Sequence, residues 1–110
     1  MRPFSLDAAR RLLPTVRELT AQAVRKAEVL ATQLEGLPES DPEHARLVGK
    51  LTGIVNQWTG QLRELDVEAK GLWLVDFDNG QGYYCWRYPE ETISHFHTYE
   101  GGFAGRMKIV

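Results

Sequence analysis

Two apolar stripes of matching spacing, joined by a short loop, constrain the fold of this chain more than any other feature. The first stripe recurs at alternating steps of three and four residues, the spacing of one helical face: Leu12, Val16, Leu19, Ala23, Ala27 or Leu30, and Leu34. The second stripe repeats that spacing: Leu47, Leu51, Ile54, Trp58, Leu62 and Leu65. Two such stripes predict an antiparallel helical hairpin over residues 5–66.

Capping residues mark the ends of both predicted helices. Ser5 can accept a hydrogen bond from a first-turn amide, so we expect the first helix to begin near Leu6 and to end at Gly36. The segment 41–43 supplies a capping aspartate, a proline at the first helical position and an early glutamate for the second helix. The loop between the helices is therefore short.

Residues that disfavour helices lie inside both stripes. Pro14 lacks an amide hydrogen, so we expect either a kink or a short break in the first helix. Gly49, Gly53 and Gly60 lie in the second helix, where each costs about 1 kcal/mol relative to alanine. They indicate either the close approach of another backbone or a locally soft helix.

The periodicity changes after residue 70, where short aromatic and β-branched runs begin. Runs at 72–77 and 83–88 flank a polar, glycine-containing turn, which is typical of a β-hairpin. A third strand is predicted over 92–98 and a last strand over 107–110. The chain is thus predicted to be one α+β domain over residues 1–110, with the helical hairpin followed by a small antiparallel sheet of three to four strands at 71–110.

Composition limits the classes of partner and the compartment. A formal net charge of -2 argues against a surface that follows the phosphates of nucleic acid or an anionic membrane. The content of 43% hydrophobic and 25% charged residues is that of a folded globular protein. With no signal peptide or long apolar run, we expect a cytoplasmic protein that binds neither nucleic acid nor membrane.

His95 and His97 are the sharpest candidates for chemistry. They alternate along a predicted strand, so both imidazoles face one side and can share a metal ion. A third ligand would come from a nearby carboxylate: Asp76, Asp78, Glu91 or Glu100. Such a set with an open position suits zinc or non-haem iron. The alternative is a pair of surface or half-buried histidines on an edge strand, without a ligand.

Cys85 and the glycine-rich segment 101–106 each have two interpretations. As the only cysteine, Cys85 cannot form an internal disulfide; it either fills a small core position or acts as a nucleophile with a histidine as its base. The segment 101–106 is either a tight turn or an anion site whose ligands are Arg87 and Arg106. Both arginines also have carboxylates such as Asp76 and Glu100 as candidate partners.

Several segments together carry a resemblance to a known family: Phe4–Ala9, Leu12–Pro14, Val75–Phe77, Cys85–Arg87, His97 and Gly102–Arg106. Over essentially the whole chain they resemble a set of small bacterial proteins known as the domain of unknown function number twenty-two zero three. The resemblance implies a helical hairpin followed by strands, and it supplies no activity, substrate or catalytic residue. The position matching His95 usually carries another residue, so a site that needs both histidines would be peculiar to this chain.

These observations predict, first, a non-enzymatic structural or protein-interaction module that self-associates. A two-helix hairpin has little interior of its own, and a dense series of aromatic residues between 73 and 103 cannot all face one side of the sheet. We expect a homo-oligomer, with a dimer favoured, whose interface includes Leu51, Trp58 and Leu62. The alternative is a metal-binding protein or metal-dependent enzyme centred on His95 and His97.

Overall fold

A computed structural model describes residues 3–110 and shows two long helices followed by a five-stranded sheet. Helix α1 spans Leu6–Glu35 and helix α2 spans Pro42–Glu64. The Ser5 side chain accepts a hydrogen bond from the amide of Ala8 at 3.0 Å, and Asp41 caps α2 in the same way. The predicted helical hairpin, its capping residues and its short connection are confirmed.

The interior of both helices is regular. Helix α1 runs without interruption through Pro14, so the short break offered as one alternative is absent. A Cβ atom added at Gly49, Gly53 or Gly60 would meet no atom within 4 Å among the described residues. These glycines therefore do not serve a close approach between backbones of this chain.

The strands pair in chain order to form an antiparallel meander: β1 Glu68–Gly71, β2 Leu74–Asp78, β3 Gly82–Arg87, β4 His95–Thr98 and β5 Met107–Lys108. A 3-10 turn, Phe103–Gly105, precedes β5. The α+β class is confirmed, with one strand more than the sequence predicted. Leu72 and Trp73, which the sequence assigned to a strand, instead form the turn between β1 and β2, and Trp73 has a φ of 62°.

One face of the sheet packs on the hairpin and forms the apolar core. Val75, Phe77 and Trp86 of the sheet are fully buried against the helices. The helices contribute Trp58 and Leu62 of α2 and small or branched residues of the first half of α1. Because side chains alternate along a strand, every second residue of β2, β3 and β4 points to the opposite face.

Candidate functional site

Three residues with metal-ligating side chains meet on the face of the sheet that points away from the helices. Asp76 of β2 lies directly opposite Cys85 of β3 in the strand register. His97 of β4 lies opposite Tyr83, two residues from Cys85 on the same face. The meander therefore brings one carboxylate, one thiol and one imidazole from three adjacent strands to a single point.

The cluster of Asp76, Cys85 and His97 is buried although it is polar. The residues are 1%, 0% and 3% exposed, respectively. One ligand atom from each lies within 4.8 Å of the others, as a shared metal ion requires. Groups this polar are expensive to bury unless they are paired or bind an ion, so the partners of each residue decide what this cluster can do.

His97 is held at both ring nitrogens. Its Nδ1 lies 2.7 Å from the carbonyl oxygen of Thr98, and its Nε2 lies 2.8 Å from Oδ2 of Asp76. A carbonyl can only accept, so Nδ1 carries a proton and donates it. A second proton is shared between Nε2 and the carboxylate. The imidazole is thus oriented with Nε2 pointing into the cluster, the arrangement that metal-binding histidines usually have.

One carboxylate oxygen of Asp76 has no hydrogen-bond partner among the described residues. Its Oδ2 contacts His97, whereas Oδ1 is buried and has no hydrogen-bond partner among the described residues. Burial raises the pKa of Asp76, and the nearby His97 and Cys85 act in the opposite direction. A buried carboxylate oxygen without a partner is unusual in a folded protein, and it marks the point at which an ion or another donor would be accommodated.

Cys85 lies at the centre of the cluster as a protonated thiol. Burial raises its pKa to about 12, the Asp76 carboxylate adds to the rise, and Arg106 opposes it. Both nitrogens of His97 are already engaged, so neither is free to take the thiol proton. Catalytic thiols require a neighbouring group that favours the thiolate and a position that a substrate can reach, so this geometry does not support a nucleophile.

Arg106 and Glu90 close the cluster on the Cys85 side. Two hydrogen bonds, 3.1 Å and 2.7 Å long, join the Arg106 guanidinium to the Glu90 carboxylate. Nη1 of Arg106 also lies 3.9 Å from Sγ of Cys85. Although burial acts to raise the pKa of Glu90, the Arg106 guanidinium and the Arg87 amide hold that pKa below its usual value.

The residues predicted as metal ligands are divided between the cluster and its surroundings. Asp76 and His97 lie in it together. His95 instead contacts Oγ of Ser94 at 3.1 Å and lies 3.9 Å from Glu90. Glu100 is exposed on the loop after β4. One histidine and one carboxylate of the predicted set thus lie together, with Cys85 beside them and His95 and Glu100 outside the cluster.

The residues predicted for the anion site and for the interface differ in how accessible they are. Arg106 is already neutralised by Glu90, whereas Arg87 is exposed; their guanidinium carbons lie 4.6 Å and 5.8 Å from the ring centre of Phe103.

Trp58 and Leu62 are 1% and 0% exposed within the single chain, so a partner could not contact them without opening the core. Of the predicted interface residues only Leu51 keeps accessible surface.

The position of Cys85 beside Asp76 and His97 was missed by sequence reasoning, although a signal was present. Asp76 and Cys85 are equally far from the centre of the β2–β3 turn, so a symmetric hairpin places them opposite one another. The same alternation that put the two histidines on one side would have put Cys85 on that side too. The aromatic neighbours of Cys85 favoured a core position, but they face the other way.

The chain belongs to the family of uncharacterized conserved proteins DUF2203, which it matches over residues 2–109. This match confirms the resemblance seen in the sequence. No curated protein and no solved structure shows a significant match to the chain. Asp76, Cys85 and His97 all lie within the segments on which the resemblance rests. Neither helix that the structure describes has an apolar stretch long enough to cross a membrane.

Proposed function

We propose that this protein binds a divalent metal ion, zinc ahead of iron, through Asp76, Cys85 and His97. The observation that carries the proposal is the convergence of three buried ligand atoms within 4.8 Å of one another. A thiolate, an imidazole nitrogen and a carboxylate oxygen are the ligand types that zinc takes in proteins. The thiolate and imidazole favour zinc over magnesium or calcium.

Two details of the cluster support a metal site over a purely structural polar pair. The Oδ1 atom of Asp76 is a buried acceptor with no hydrogen-bond partner among the described residues, and only the weak S–H donor of Cys85 lies beside the carboxylate. The bond from Nδ1 of His97 to the Thr98 carbonyl fixes the ring so that Nε2 is the atom presented to the ion. The hydrogen bond between Asp76 and His97 by itself leaves Oδ1 of Asp76 without an N–H or O–H donor.

We propose that the bound ion is structural, with the second carboxylate oxygen of Asp76 as the fourth ligand that a closed zinc site needs. All three ligands are nearly inaccessible to solvent, so a substrate could not reach an ion that they hold. The ion would connect β2, β3 and β4, and its binding free energy would add to the stability of the sheet. When bound, zinc would supply positive charge, which would keep the Cys85 thiolate and the Asp76 carboxylate ionised in this buried environment.

Metal analysis of protein purified without a histidine tag tests the proposal. The protein is stripped with a chelator and then dialysed against Zn²⁺. We expect one ion per chain, and we expect it to be lost in His97→Ala and Asp76→Asn. The asparagine variant separates the two roles of Asp76, because its amide can still donate to Nε2 of a neutral imidazole although it provides no negative charge.

His44→Ala is the matched control, because His44 lies in the first turn of α2, outside the cluster. This variant should bind as much Zn²⁺ as the wild-type chain. Absence of stoichiometric binding by the wild type would overturn the proposal. Binding that persists in Asp76→Asn and His97→Ala but disappears in the control would place the site elsewhere.

A second candidate function, self-association, is favoured by an apolar groove beside the hairpin. The groove has a volume of about 530 Å³ and is bounded by both helices and by the turn that joins β1 to β2. Its walls include Ala31 of α1, Leu51 and Val55 of α2, and Leu72 of the turn. Leu72 is 62% exposed, so each copy carries both an apolar groove and an apolar side chain at its rim. A two-fold interface needs such a reciprocal pair.

Light scattering coupled to size-exclusion chromatography tests self-association at micromolar concentration. We expect the wild-type chain to elute as a dimer and Leu72→Asp to elute as a monomer. Val29→Asp is the control, because Val29 is 59% exposed but does not line the groove. A monomeric wild type, or equal dissociation of both variants, would contradict the proposal.

A further inference from the structure

Arg106 is the charged residue whose side chain contacts Cys85 from outside the cluster. We propose that Arg106 is a positioning residue that orients the Cys85 sulfur toward the metal by donating a hydrogen bond from Nη1 to Sγ. This inference rests on the proposed metal function. It names the group that controls the sulfur ligand of the same site.

The guanidinium is fixed before any metal arrives. Glu90 accepts two hydrogen bonds from it, at 3.1 Å and 2.7 Å, and the Phe103 ring lies 4.6 Å from its central carbon. A planar guanidinium held by a carboxylate fork and an aromatic face loses little further freedom on meeting a new acceptor. Nη1 is already 3.9 Å from Sγ, so a small shift of either group completes the contact.

Glu90 is in turn anchored by its surroundings. The amide of Arg87 donates to its carboxylate at 2.7 Å, and the Trp86 indole donates to its backbone carbonyl at 2.8 Å. Arg17 of α1 reaches the same carbonyl at 2.9 Å. The position of Arg106 is therefore set by α1 and by β3, and not by the thiol itself.

The charges balance when the site is filled. Binding of a divalent ion releases the Cys85 proton and the proton shared by Asp76 and His97 to solvent. The ion, thiolate and carboxylate then sum to zero, and Arg106 and Glu90 form a separate neutral pair. Within that arrangement the sulfur carries negative charge in a dry site, where an N–H donor at its free side stabilises it.

Arg87 provides a matched control on the same sheet. It also lies over Phe103, with its guanidinium carbon 5.8 Å from the ring centre, but its side chain is exposed. A variant of Arg87 removes the same charge from nearly the same place without removing a contact with Cys85. The loss of one positive charge from this face would weaken metal binding in both variants, whereas the proposed contact involves Arg106 alone.

The test is a titration of metal-free protein with Co²⁺, followed through the thiolate-to-cobalt charge-transfer band, with Zn²⁺ competition for affinity. We expect Arg106→Gln to weaken binding by about 10- to 100-fold, the usual effect of removing an outer hydrogen-bond partner. The charge-transfer band should move to lower energy, because a thiolate without its donor gives up electron density more easily. Arg106→Lys should recover part of the affinity, and Arg87→Gln should match the wild type.

The outcomes separate this inference from the metal proposal. If the wild type binds Co²⁺ with a thiolate band and Arg106→Gln shows the same band and affinity, Arg106 has no role and the metal site stands. Equal losses in Arg106→Gln and Arg87→Gln would also overturn the inference. If the wild type binds no metal or shows no thiolate band, both proposals fail together. Circular dichroism of each variant checks that the fold is intact.

Discussion

The two faces of the sheet are both buried at their centres, yet one carries apolar side chains and the other carries polar ones. The face toward the helices carries Val75, Phe77 and Trp86, which are 0% exposed and apolar. The outer face carries Asp76 and Cys85 at the positions in between, equally buried and polar. The same alternation of side chains produces both faces, so the difference lies in which residues the sequence places at even and odd positions.

The two faces therefore tolerate substitutions to different degrees. Apolar packing is non-directional, so many combinations of residues of the right size would fill the inner face. The outer face depends on particular atoms: Nε2 of His97 meets Oδ2 of Asp76, and a neighbouring oxygen is left without a partner. Substitutions on the inner face should therefore change stability more than metal binding, and substitutions on the outer face should change metal binding more than stability.

Trp86→Ala should have the largest effect on stability. The Trp86 side chain is completely buried and donates to the Glu90 carbonyl. Its removal leaves a large cavity, which costs about 3–5 kcal/mol of unfolding free energy. Urea denaturation followed by circular dichroism measures the loss. A change of less than about 1 kcal/mol would mean that the inner face can collapse around the cavity.

His97→Ala should be the most costly change on the outer face. It leaves the buried Asp76 carboxylate without its partner, and loss of a buried hydrogen-bond partner costs about 1–3 kcal/mol. Because burial already raises the pKa of Asp76, the folded variant binds a proton that the unfolded chain has released. Its stability should therefore fall further as the pH rises above about 4. Asp76→Asn keeps a donor for Nε2 and should lose less than about 1 kcal/mol.

A pH series of urea denaturations distinguishes these outcomes. The gap between the wild type and His97→Ala should be smaller at acid pH than at neutral pH. A gap that stays constant would show that the side chain of His97 acts through packing alone. Metal-free protein is used for both chains, so that binding does not add to the difference.

The elements with regular periodicity were predictable from the sequence, and the elements without it were not. Both helices follow from their stripes, and β2 and β3 from the aromatic runs around their turn. The strand Glu68–Gly71 was missed because its four residues show no apolar alternation. The segment before His95 was predicted as part of a strand, but Ile93 instead packs into the core as an irregular connection.

The site was predictable in part for the same reason. Alternation identified the face of His97, and proximity in sequence suggested Asp76. The rest depended on which strands pair, and the β3–β4 connection has no periodicity from which a register could be read. Arg106 approaches Cys85 only because β5 returns alongside β4. A contact made by such a return cannot be predicted from local pattern.

The thiol of Cys85 should react slowly with alkylating reagents in the folded protein. It is 0% exposed, and burial together with Asp76 raises its pKa to about 12, so almost no thiolate is present at neutral pH. We expect alkylation at least about 100-fold slower than in urea-unfolded chain, since the thiolate is the reactive form. Mass spectrometry over time measures it. Fast labelling of the native chain would show that the outer face opens readily.

Glu68→Gln should have the smallest effect on stability and on Zn²⁺ binding. It tests whether residues at the edge of the outer face contribute to the cluster. Glu68 lies directly opposite Asp76 in the strand register, but its carboxylate pairs with Lys70 at 3.1 Å and both side chains are more than a third exposed, at 36% and 39%. An exposed ion pair contributes little, so unfolding free energy should change by less than about 0.5 kcal/mol. Zn²⁺ binding should equal that of the wild type. A larger loss of unfolding free energy or of Zn²⁺ binding would mean that the exposed pair of Glu68 and Lys70 supports the cluster. The inner and outer faces would then differ over their whole area, and not only at their buried centres.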